Sequence, residues 1–88
     1  MNLSQLSPGD HALVEQVLGQ HPEVQAATLR RLGELGFLPG EPVQLLHRGP
    51  GGREPIAVQI GESLFALRLV EAQCIQVRAV DALHPAPL

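Results

Sequence analysis

Arg31-Leu32-Gly33-Glu34-Leu35-Gly36-Phe37-Leu38-Pro39-Gly40 is the stretch in which the chain changes period, and its reading decides the fold. Upstream of its end, from Glu23, residues Val24, Thr28, Leu32 and Leu35, with Leu29 alongside, fall in one arc at about 100° per residue, which predicts an amphipathic helix. Pro22 suits a first helical position, where no N–H is needed, and Glu23 would sit at the positive end of the helix dipole. Gly36 follows the last apolar position as a left-handed cap does, and Pro39 prevents continuation. Ala26, Arg30 and Glu34 face solvent in this arrangement, with Arg31 at the border of the apolar arc and Arg30 and Glu34 spaced to pair.

Beyond Pro39-Gly40 the period falls to two. Val43, Leu45 and His47 share one face of a strand, with Gln44, Leu46 and Arg48 on the other. Gly49-Pro50-Gly51-Gly52 is a flexible hairpin tip, after which Ile56, Val58 and Ile60 alternate with Ala57 and Gln59 as a half-buried strand. Gly61-Glu62-Ser63 makes a second tight turn, and Leu64 to Arg68 returns as a strand. Leu69 to Gln73 reads as a single helical turn, followed by a last strand in which Ile75, Val77 and Ala79 alternate with Gln76, Arg78 and Val80. On the other side of the helix, the turn Ser7-Pro8-Gly9-Asp10 leads into a strand from His11 to Leu18. Its apolar residues lack clean alternation, which predicts a bulge or cover on both faces.

One helix among five short strands is too little for a parallel, doubly wound sheet. The fold class expected is mainly β with one inserted α-helix: a small SH3-like antiparallel barrel of about five strands, curled so that open edges stay short. Residues 1–80 form the single domain, and residues 81–88, ending His84-Pro85-Ala86-Pro87-Leu88, are expected to be a flexible tail.

Composition narrows the function. The chain has 88 residues, a net charge of −3, six Arg and no Lys, so its long-range field gives no attraction to phosphate backbones or anionic headgroups. Phe37 and Phe65 are the only aromatic residues, too few for the stacking platforms of a small RNA- or DNA-binding barrel. A lone cysteine, Cys74, forms no internal disulfide and fits a reducing cytoplasm. The start Met1-Asn2-Leu3-Ser4-Gln5-Leu6 lacks the basic and apolar regions of a signal peptide, and no apolar run is long enough to span a bilayer, so the expectation is a soluble chain.

Few residues point to chemistry. His11, His21, His47 and His84 are scattered, with no Cys or carboxylate at metal-ligand spacing, so neither a metal site nor a cofactor is expected, although a convergence in space could still bind a transition metal. Cys74 precedes an apolar strand and reads as a small structural residue. Ser4, Ser7 and Ser63 lie in turns without a nucleophile-elbow pattern, and Gly49-Pro50-Gly51-Gly52-Arg53 joins two strands, whereas a phosphate loop feeds a helix. No catalytic residue is assigned. For partner binding, Phe37 and Leu38 stand in a turn beside Arg30 and Arg31, an apolar anchor flanked by guanidinium groups. Phe37 has a second reading, as a plug for the open end of the barrel, because a chain this poor in aromatics needs large side chains in its core.

The decisive stretch also resembles a known family. Arg31-Leu32, the spaced Leu35-Gly36, then Pro39-Gly40 and Val43 are similar to the hallmark of the FeoA family of bacterial ferrous iron uptake. The likeness continues through Leu6-Ser7-Pro8-Gly9, Gly61 before Leu64-Phe65-Ala66-Leu67-Arg68, and Glu71-Ala72 leading to Ile75-Gln76-Val77, covering about residues 3 to 80. The resemblance implies an SH3-like, non-enzymatic cytoplasmic protein that acts with a FeoB-type membrane GTPase transporter by binding its cytoplasmic part. The same domain type occurs at the C-terminus of iron-dependent repressors, which implies a metal-responsive module as the alternative. The chain starting at the barrel, with no helix-turn-helix, counts against that alternative.

Overall fold

The computed structural model describes residues 1–19 and 24–80. The 81–88 segment expected to be a flexible tail lies outside the described residues, as do His21, Pro22, Glu23 and His84. Five strands form the frame: β1 (His11–Val17), β2 (Pro42–Arg48), β3 (Ile56–Ile60), β4 (Ser63–Leu67) and β5 (Ile75–Val80). They hydrogen-bond in the order β4-β3-β2-β1-β5, every pairing antiparallel. The long helix α1 (Ala26–Leu35) is inserted between β1 and β2, the short helix α2 (Leu69–Gln73) links β4 to β5, and a 3₁₀ turn (Leu3–Gln5) precedes β1. This is the small, mainly β, SH3-like barrel with one inserted helix that the order of periods demands.

Leu and Val fill most of the core, as a chain with two aromatics requires. Leu3, Leu32, Phe37, Leu45, Ile56 and Ile75 are its largest fully buried side chains, and among the described residues none of the buried side chains is polar or charged. Phe37 meets Phe65 with ring centroids 5.9 Å apart in a tilted pair.

Two bulges shape the frame. In β1 the register against β5 shifts between Val14 and Gln16, as the missing alternation predicts. In β2 it shifts between Leu45 and His47, which overturns the expected faces of that strand. The extra residue flips the pleat, so His47 turns outward and Arg48 stands opposite buried Ile56. From there the Arg48 guanidinium donates to the carbonyls of Ser4 and Leu6, the latter at 2.8 Å, and holds the N-terminal turn over the core.

The helix begins later than expected. Gln25 has extended backbone, φ −80° and ψ 157°, and its carbonyl accepts the first helical N–H groups, from Thr28 at 2.9 Å and Leu29 at 3.2 Å. Val24 therefore precedes the helix, and its arc of half-buried and buried residues is Thr28, Leu29, Leu32 and Leu35.

Candidate functional site

The helix-to-strand joint decides which side chains of the decisive stretch face water. Gly36 has φ +117°, donates its N–H to Gly33 at 3.1 Å, and is followed by Phe37, whose N–H reaches Leu32 at 3.2 Å. These are the paired bonds of a Schellman motif, in which the residue after the glycine packs against the residue five positions before it. Phe37 and Leu32 obey that rule and lie together in the core. At 1 % exposure Phe37 presents no surface to a partner, which corrects the expectation of a contact residue and puts it in the core.

Leu38 is the apolar residue that remains outside, 50 % exposed. The joint beneath it is rigid: Leu38 donates to Gly36 at 2.8 Å and accepts from Glu41 at 3.0 Å, while Gly40 donates to Val14 at 2.7 Å and Val14 to Glu41 at 2.9 Å. A large apolar side chain on a turn stitched to a strand loses little further entropy on being covered. Upstream, the outward face of α1 carries Ala26, Ala27, Arg30, Arg31 and Glu34, all exposed. The pairing that Arg30 and Glu34 were spaced for does not form. Among the described residues the ion pair present is Arg31 to Glu71 of α2, at 3.9 Å, with the Arg31 side chain 65 % exposed. A pair that exposed contributes little to stability and leaves the guanidinium open to a second acceptor.

The remaining candidates carry no constellation. His11 and His47 are exposed on separate strands, and Cys74 is buried with its thiol donating to the Val70 carbonyl at 3.3 Å. Among the described residues no three His, Cys, Asp or Glu side chains converge as metal ligands would, and no helix is long and apolar enough to cross a membrane. A shallow depression of about 290 Å³ on the outer sheet face is lined by His11, Pro42, Val43, Gln44, Gln59 and Gly61. Its polar groups are chiefly uncharged carboxamides, with nothing placed to act as nucleophile and base. Sequence reasoning missed Arg48, whose role depends on a bulge that no local pattern announces.

The FeoA domain model matches residues 1–79 of this chain. Among solved structures, FeoA of Stenotrophomonas maltophilia in complex with zinc, described as a prokaryotic SH3 domain protein, is 45% identical, covers 88% of each chain and superposes with a TM-score of 0.77. FeoA of Chlorobium tepidum is 33% identical over 99% of this chain and 81% of its own, with a TM-score of 0.79. A manganese-dependent transcriptional repressor shares the fold, with a TM-score of 0.73 at 22% identity over 91% of this chain and 41% of its own. No curated protein sequence matches the chain. With the capped helix, the Pro39-Gly40 joint and the five-strand frame all in place and the family model spanning nearly every described residue, the chain belongs to the FeoA family.

Proposed function

We infer that this protein is a non-enzymatic interaction module of ferrous iron uptake that binds the cytoplasmic GTPase part of a FeoB-type membrane transporter, and so works in the cytoplasm. The S. maltophilia relative is described as a candidate activating factor for bacterial ferrous iron transport. The observation that carries the reading is Leu38, an exposed apolar anchor on a rigid joint whose neighbour Phe37 is fully buried. Arg30 and Arg31, exposed on the preceding helix α1, would supply the charge for an acidic rim on the partner. The metal-responsive alternative draws support from the repressor neighbour as a fold alone.

The test is calorimetric titration of the purified transporter GTPase domain, in its nucleotide-free, GDP and GTP-analogue states, with wild-type protein and Leu38→Ser. Binding in at least one state, weakened about tenfold or more by Leu38→Ser, is expected for an interface anchor. Equal binding by Leu38→Ser would remove this surface. No binding in any state, with unchanged iron uptake in a deletion strain, would remove the partner. Phe37→Ser serves as the control for stability, because emptying a buried aromatic site costs about 3–5 kcal/mol without removing an exposed side chain.

A further inference from the structure

The two outer strands of the sheet are treated differently. The free side of β5 is covered, since Asn2 forms an isolated bridge with Gln76 and the Val77 N–H donates to the Met1 carbonyl at 2.9 Å. Among the described residues, none hydrogen-bonds to the free side of β4. Strand β4, Ser63-Leu64-Phe65-Ala66-Leu67, ends the strand order, and it contains no charge, no proline and no bulge, the devices that ordinarily blunt an edge. Leu64 is 66 % exposed, and Ala66 is exposed beside it on the same face.

The backbone fixes which groups are on offer. A two-residue turn, with Gly61 at φ +58°, pairs Ile60 with Ser63, and Phe65 and Leu67 stand opposite Val58 and Ile56. In such a hairpin Ser63, Phe65 and Leu67 direct their N–H and C=O groups toward β3. Leu64 and Ala66 direct theirs outward, and among the described residues no hydrogen bond is made to these outward groups. At the far end the Arg68 N–H is taken by Glu71 Oε1 at 2.8 Å, so the available ladder is that of Leu64 and Ala66.

We propose that this edge pairs with the same edge of a second copy of the chain, antiparallel about a two-fold axis at Phe65. In that register Leu64 exchanges backbone hydrogen bonds with Ala66 of the second copy, and the reverse, and the Leu64 side chain covers Ala66. The flanking charges select it. Glu62 and Arg68, both exposed and three residues to either side of Phe65, fall opposite each other across the axis, twice. The adjacent hydrogen-bonding registers lose this match: one sets Glu62 against Ala66, the other sets Arg68 against Leu64. Opposite charges facing across a ladder stabilise it, and a two-fold pairing closes on itself and does not propagate into fibres. A five-residue edge buries less than the roughly 1,000 Å² of a durable interface, so the association is weak and reversible.

Sedimentation velocity of the full chain, from dilute solution to about 1 mM, tests this. The wild type is expected to form a reversible dimer. Glu62→Arg and Arg68→Glu should each weaken it about tenfold or more, because each sets like charges opposite each other at both ends. Mixed one to one, the two variants should dimerise again. One copy then carries arginine at both positions and the other carries glutamate at both, so opposite charges meet at each end of the ladder. That recovery also shows both variants to be folded. A wild type that stays monomeric at the highest concentration, single variants that dimerise unchanged, or a mixture that fails to recover would each overturn the proposal.

Discussion

The β5 and β4 edges differ less in their strands than in what the rest of the chain lays against them. Residues 1–6 close the β5 edge through a backbone bridge, two buried leucines, an Asn2–Gln5 capping box and the Arg48 guanidinium. Among the described residues the β4 edge has only its own hairpin partner. The difference shows that a barrel this small holds one edge by packing and leaves the other to solvent or to a partner. Substitutions at the closed edge should therefore register in folding, and those at the open edge in association.

Of the substitutions at these two edges, the largest effect is expected at Leu3, the fully buried residue of the N-terminal turn. Leu3→Ala should lower the unfolding free energy by about 2–5 kcal/mol in urea titration. Amide exchange at Val77 should accelerate with it, and an unchanged Val77 amide would mean the edge is sealed by something other than this turn. Arg48→Met keeps the apolar stem but strands two carbonyls, at a cost of about 1.5–3 kcal/mol by the same titration. Asn2→Ala removes the side-chain acceptor for the Ser4 N–H, 3.0 Å away, and should cost about 0.5–2 kcal/mol, read as a lowered melting temperature. Leu64→Ser at the open edge should leave thermal stability within about 0.5 kcal/mol of wild type while weakening self-association. A large loss of stability there would show that β4 is not an open edge.

Most of the frame was legible in sequence because its signals are local. The period-two runs of β3 and β5 and the Gly36 stop are written within a few residues of the structure they specify. Phe37 could have been placed in the core from the same signals, since a Schellman cap sends the residue after its glycine inward. The start of α1 was misplaced because Pro22 and Glu23 have the composition of a helix start, while the turning point is set by the extended backbone of Gln25. Arg48 and the covered edge were illegible for a different reason. Both depend on residues more than forty positions apart, and the placing of Arg48 depends as well on a bulge that inverts the end of β2. The contact surface proposed on α1 rests on residue types, and the structure decides only which of those side chains face water.

The covering of β5 by the N-terminal turn also bears on how the protein comes into being. Met1 and Asn2 find their partners at Val77 and Gln76, so each must wait for a residue made more than seventy positions later. Until residue 77 has left the ribosome, Leu3 and Leu6 have no site to fill, and the strands already made stay marginal. Such distant closure slows folding and makes it nearly all-or-none. A chain truncated before residue 75 should therefore emerge without a stable core, and a protease should degrade it readily.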